Sequence, residues 1–104
     1  MLKKEIRKAI QSLKKIPQRK WYSITCKDDI DGVGPESMRI ISVSQQMHIK
    51  CGWFQGQGLR VYGVHCTPHE INQLINELGR DTYSYSVMSS YGIRLLKKNI
   101  WAPF

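Results

Sequence analysis

No stretch of this chain approaches the roughly eighteen consecutive apolar residues of a membrane-spanning helix, and a membrane association is not expected. The opening residues are charged and hold no apolar h-region, so a secretory signal is not expected either. Cysteine is scarce: Cys26, Cys51 and Cys66 are odd in number and lack C-x-x-C spacing. That argues against a disulfide framework and for a reducing, cytoplasmic location. Nucleophile elbow, P-loop and dinucleotide fingerprint are all missing, which disfavours nucleotide-dependent enzymes. No internal repeat or low-complexity run is present.

Negative charge is the shortage that matters most. The chain holds 16 Lys/Arg against 8 Asp/Glu. Among the first twenty residues the only acid is Glu5, against Lys3, Lys4, Arg7, Lys8, Lys14, Lys15, Arg19 and Lys20, a local charge of +7. The remaining 84 residues hold eight Lys/Arg and seven acids and are nearly balanced. The basicity is therefore a local device, and a local cation cluster points to a polyanionic partner.

What is present fits one α+β domain over residues 1–104. That length buries roughly 60 to 70 % of the unfolded surface without a metal or disulfide staple. Leu2, Ile6, Ala9, Ile10, Leu13 and Ile16 recur at helical spacing, and the lysines take the opposite arc. Residues 2–16 thus read as a basic amphipathic helix that Pro17 ends. Trp21 to Lys27 reads as a strand, and Asp28 to Pro35 as a loop by its Asp, Gly and Pro content. From Met38 to Trp53 apolar and polar residues alternate, which predicts a long strand with a turn or bulge near Ser44 to Gln46. Gln55-Gly56-Gln57-Gly58 predicts a hairpin, and Leu59 to Cys66 the returning strand.

Thr67 to Leu78 is the second helix. Thr67 is its N-cap, Pro68 its first residue, Glu70 the other half of a capping box, and Gly79 its stop. Tyr83 to Tyr91 reads as another strand, broken at Gly92. Ile93 to Phe104 is a short strand or helix followed by an apolar tail. The expected fold is an antiparallel sheet of four to five strands, with the basic helix and the second helix on one face, in the order α-β-β-(β)-β-α-β. Double-stranded RNA-binding modules share a helix–strands–helix order. They begin their second helix with lysines, however, and here that turn reads Thr67-Pro68-His69-Glu70, so the comparison fails.

Five residue sets carry candidate chemistry. Lys3, Lys4, Arg7, Lys8, Lys14, Lys15, Arg19 and Lys20 form a phosphate-contacting strip, which Arg94, Lys97 and Lys98 extend if they lie nearby. Its bland alternative is a solvated helix face, and a membrane-surface helix is a third reading. Among the aromatics, Tyr22 and Phe54 are the best candidates for exposed base-stacking platforms. His48-x-x-Cys51 and Cys66-x-x-His69 resemble two zinc half-sites, although strand alternation sends His48 and Cys51 to opposite faces. Asp28, Asp29, Asp31 and Glu36 offer carboxylates for a metal, and His65 or His69 with Arg60 and Tyr62 offers a metal-free ribonuclease.

No spacing selects a catalytic set, and no cofactor is expected. The leading expectation is a nucleic-acid-binding module, RNA ahead of DNA. An acidic protein surface as partner and a small nuclease are the alternatives.

Overall fold

Tyr22, Ile24 and Cys26 are buried, while Ser23 between them is half-buried and Thr25 exposed. That period of two is what an extended chain makes when one face is packed. The computed structural model describes residues 18–98. It places this segment as β1 (Lys20–Cys26), followed by α1 (Pro35–Gln46), β2 (Lys50–Gly56), β3 (Leu59–Cys66), α2 (Pro68–Leu78), β4 (Tyr83–Val87) and α3 (Ser90–Lys98). The sheet order is β2-β3-β1-β4, with every neighbouring pair antiparallel. β1 and β2 therefore run parallel with β3 between them, and β3 and β4 run parallel with β1 between them. These are two interleaved split βαβ units, the ferredoxin-like arrangement.

The two faces of the sheet carry different cores. Tyr22, Ile24, Cys26, Cys51, Tyr62, Val64 and Cys66 pack with Ile40 of α1 and with Ile71, Leu74, Ile75 and Leu78 of α2. The second cluster, on the other face, joins Trp21 and Met88 to Leu96 of α3, with Phe54 and Ile93 packed against it. An α+β domain with an antiparallel four-stranded sheet is thus the observed fold. The expected basic helix over 2–16 and the apolar tail through Trp101 and Phe104 lie outside the described residues.

α2 forms as its sequence dictates. Thr67 Oγ1 accepts from the Glu70 N–H at 3.1 Å, and Glu70 Oε1 accepts from the Thr67 N–H at 2.9 Å. The hairpin is also where it was expected. Gln57 and Gly58 both have positive φ, 53° and 80°, and join β2 to β3 directly beyond the Gly56–Leu59 pair.

Two expectations are corrected. Met38 to Gln46 is helix, not strand. Pro35 pre-sets the first turn, and Asp29 Oδ2 accepts from the N–H groups of Gly34 at 2.9 Å and Ser37 at 3.2 Å, so an upstream carboxylate caps α1. The buried positions are Ser37, Ile40 and Ser44, spaced three and four apart. The apolar alternation of Ile41, Val43 and Met47 is a coincidence of parity on the flank of that helix.

The strand from Tyr83 ends at Val87 rather than Tyr91. Ser89 Oγ accepts from the Gly92 N–H at 3.1 Å, and this cap starts α3. Gly92 then sits inside the helix, and the whole helix lies on the face opposite α1 and α2.

That placement depends on a cross-strand pair of glycines, Gly52 and Gly63. They leave a trough in the open face. A Cβ on Gly63 would lie 2.4 Å from Leu96 Cδ2 and 2.9 Å from Met88 Sδ.

Gly32 holds the other tight point. Its φ is +74°, a Cβ there would lie 2.5 Å from the Arg60 carbonyl oxygen, and its own carbonyl accepts from the Tyr62 hydroxyl at 2.6 Å. Gly32→Ala should lower stability by about 2 kcal/mol or more in chemical denaturation, since strained φ and backbone clash act together. Gly56→Ala, with open space around it, is the control. Equal losses in the two variants would contradict this account.

Candidate nucleic-acid interface

Register places three side chains in one row across the open face. Trp21 pairs with His65, and His65 pairs with Lys50 on its other side. All three project away from α1 and α2, because their neighbours Tyr22, Val64 and Cys51 fill the helix-side core. The Trp21 and His65 rings lie 4.9 Å apart at 33°. Lys50 Nζ sits 5.9 Å from the centre of the Trp21 ring, within cation–π range. Trp21 is 9 % exposed, so the half-buried imidazole is the reachable ring of the pair.

Two further cations converge on that imidazole from outside the row. Arg19 lies just before β1, and Lys97 in the basic last turn of α3. Burial first, then the charges of Lys50, Arg19 and Lys97, hold the His65 pKa below its ordinary value. Arg19 is also felt by Glu70, whose carboxylate is held low chiefly by its hydrogen bonds in the α2 capping box. The rest of the open face on β1 and β4 is uncharged: Ser23 meets Ser86, Oγ to Oγ, at 3.0 Å, and Thr25 Oγ1 meets Ser84 Oγ at 2.9 Å. Positive charge is thus concentrated at the end of the sheet where the basic first twenty residues join it. The charge of such a site suits an anion, and among the described residues it pairs no nucleophile with a base.

The sequence-derived residues divide sharply. Lys3, Lys4, Arg7, Lys8, Lys14 and Lys15 lie outside the described residues, while Arg19 and Lys20 are exposed at the start of β1. Tyr22 is corrected: it is 4 % exposed, packed in the helix-side core and edge-on to Tyr85 at 5.5 Å, so it offers no stacking platform. Phe54 is half-buried against the α3 cluster. Of Arg94, Lys97 and Lys98, it is Lys97 whose charge reaches the row.

The zinc set is not assembled. His48 is exposed, with φ 57°, in the turn after α1, and His69 is exposed in the first turn of α2. Cys51 and Cys66 are buried among apolar side chains, and burial pushes both thiols up to about 12. Among the described residues no three His, Cys, Asp or Glu side chains group closely enough to hold a metal ion. The ribonuclease set is split as well: Tyr62 and Arg60 face the helix side, whereas His65 faces the other.

Sequence reasoning missed Trp21, Lys50 and His65 as a unit, because their proximity is created by strand register. The available signal was parity: Lys50 falls on the polar alternation of β2, opposite Cys51.

The acidic loop has a structural task. Asp29 caps α1, and its own carbonyl accepts from Ser37 Oγ at 3.3 Å. Arg60 donates its backbone N–H to the Asp31 carbonyl at 2.9 Å and so fastens the loop to β3. Hydrogen bonds, led by that from the Ser37 side chain, hold the Asp29 carboxyl below its ordinary 3.8. A depressed acid adds stability above its unfolded value and loses it as pH falls through the folded one. Asp29→Asn should therefore melt at lower temperature than the parent at pH 6, and the two curves should converge below about pH 4. A gap that stays constant with pH would refute the capping role of the charge.

Comparison with protein-family models, with curated proteins and with solved structures finds no match to this chain. Among the described residues no helix is long and apolar enough to cross a membrane.

Proposed function

We propose that this protein is a small nucleic-acid-binding module, RNA ahead of DNA, that grips phosphates with its basic first twenty residues and with Lys50, His65 and Lys97 around Trp21. The observation that carries this reading is the convergence of Arg19, Lys50 and Lys97 on one half-exposed imidazole stacked against a tryptophan. Like charges gathered in this way repel one another, and a polyanion relieves the repulsion. Trp21 and His65 stand on the two central strands. Bases also stack on sheet aromatics in four-stranded RNA-binding modules, an analogy of architecture that adds weight without deciding the matter.

Salt is the first test. Anisotropy of a labelled single-stranded RNA should report affinity that falls linearly with salt on logarithmic axes. Each phosphate that a cation neutralises on a single strand contributes about 0.7 to that slope, so the double variant Lys50→Gln/Lys97→Gln should reduce it by about 1.4. Single-stranded DNA of the same sequence should bind more weakly than the RNA. Undetectable binding at low salt, or an unchanged slope, would remove the row from the interface. Polyglutamate bound as tightly as RNA would transfer the reading to an acidic protein partner.

Proton uptake is the second. Burial, with the nearby cations, holds the His65 pKa below its ordinary value and so favours the neutral imidazole in the unbound protein. A phosphate beside it favours the imidazolium and raises its pKa in the complex. Affinity should therefore rise several-fold from pH 7.5 to pH 5.5. His65→Gln should flatten that rise at constant salt while leaving the affinity at pH 7.5 nearly unchanged. A pH profile identical in the two proteins would exclude His65 as a phosphate partner.

A further inference from the structure

The helix side of the sheet holds a second feature, unrelated to the cation row. A cavity of about 500 Å³ opens between α1 and the β2–β3 hairpin, walled by Met38, Ile41, Gln45, Cys51, Trp53 and Arg60. Its helix-side wall is the flank of α1 that carries Met38, Ile41 and Gln45. Most of the wall is apolar, and among the described residues no carboxylate lines it.

Among the described residues the charge in the wall is incompletely satisfied. The Arg60 guanidinium lies over the Trp53 ring, 3.9 Å from its centre. Among the described residues its Nε–H is buried without a hydrogen-bond partner, Nη1 reaches the thioether of Met38 at 3.7 Å, and the guanidinium also interacts with the Tyr62 hydroxyl oxygen. The Tyr62 hydroxyl nearby spends its proton on the Gly32 carbonyl. A guanidinium is a rigid fork of donors suited to a planar oxyanion. Here it is held flat by an indole, at the edge of an apolar space within the usual range of small-ligand pockets, roughly 300 to 1,000 Å³.

We propose that this cavity binds a small organic anion with a flat apolar body and one carboxylate. The body lies among Met38, Ile41 and Trp53, and the carboxylate pairs with the terminal nitrogens of Arg60. An anion is favoured over a neutral ligand because, among the described residues, the ionic group in the wall is the Arg60 guanidinium and no carboxylate lines the wall beside it. A bicyclic aromatic acid covers the apolar wall of Met38, Ile41 and Trp53, which a bare phosphate would leave uncovered.

The test compares 2-naphthoate with its neutral isostere 2-naphthamide, titrated into the full chain and followed by two-dimensional NMR of the tryptophan indole N–H groups. The expected result is saturable binding of 2-naphthoate at one equivalent, with Kd on the order of 0.1 to 1 mM for a ligand of this size. The amide should bind at least tenfold more weakly. Arg60→Lys, which keeps the charge and removes the fork, should reduce the preference for the acid. Met38→Trp should fill the cavity and abolish binding of both compounds with Arg60 intact; Met38 is 45 % exposed, so the larger side chain is tolerated. Lys50→Gln/Lys97→Gln should leave naphthoate binding unchanged, which separates this site from the nucleic-acid reading. No saturable shift, equal affinity for acid and amide, or binding that survives Met38→Trp would each overturn the proposal.

Discussion

The pairing of β1 with β3 is the constraint on which the rest of this molecule depends. The two split βαβ units touch through this central pair, and each residue's face is set by its register: Trp21 opposite His65, Tyr22 opposite Val64, Ser23 opposite Gly63. A slip of β1 by one residue would drive Trp21 and Ser23 into the helix-side core and expel Tyr22 and Ile24. The core resists that slip, since burying a large apolar side chain is worth about 1.5 to 3 kcal/mol. The hydrophobic demand on one face thus positions the charged row on the other. The row needs no hydrogen-bond network of its own.

α3 depends on the same register in a different way. At nine residues it is shorter than the roughly 12 to 15 that an isolated helix needs in water. It persists because Ser89 caps it and because Leu96 enters the trough left by Gly52 and Gly63. Docking fixes where its last turn falls, and Lys97 comes to the row as a result. Two glycines in the middle of a sheet would ordinarily weaken it. Here their missing side chains are the contact surface.

The legible parts of the sequence were those with a strong local rule. The capping box of α2, the hairpin at Gln57-Gly58 and the alternation of β1 and β3 each have one physical cause within a few residues. α1 was illegible because its inward positions are Ser37, Ile40 and Ser44, and serine does not register as core. Its cap is also a carboxylate five residues before Gly34, outside the usual capping window. α3 was masked by Gly92, a residue that stops many helices and here sits inside one. At the candidate interface Arg19 and Lys20 were visible as charge density. Tyr22 was misassigned because its exposure was inferred from the wrong strand face: Trp21 and Tyr22 do point oppositely, but Tyr22 takes the side covered by two helices. The Lys50–His65–Trp21 row joins residues far apart in sequence, and single-chain patterning carries no term for that.

The distribution of charge argues most directly about purpose. A sheet face that needed only to be soluble would do well with the hydroxyl pairs that β1 and β4 already use at Ser23–Ser86 and Thr25–Ser84. At the other end the chain gathers Arg19, Lys50 and Lys97 around a histidine whose protonated form they disfavour. Glu70, an acid that feels Arg19, has its oxygen engaged in capping α2. Beyond the cation–π contact of Lys50 with Trp21, each cation brought near the others in such a cluster adds repulsion that unfolding would release. Salt screens this repulsion within about 8 to 10 Å. A bound chain of phosphates would do so more completely, since it places its charges at fixed spacing between the cations. The cluster also stands where the +7 segment meets β1. The cation cluster is therefore adjacent in sequence, through Arg19 and Lys20, to the most basic stretch of the chain, which is why the partner proposed for both is one extended anion.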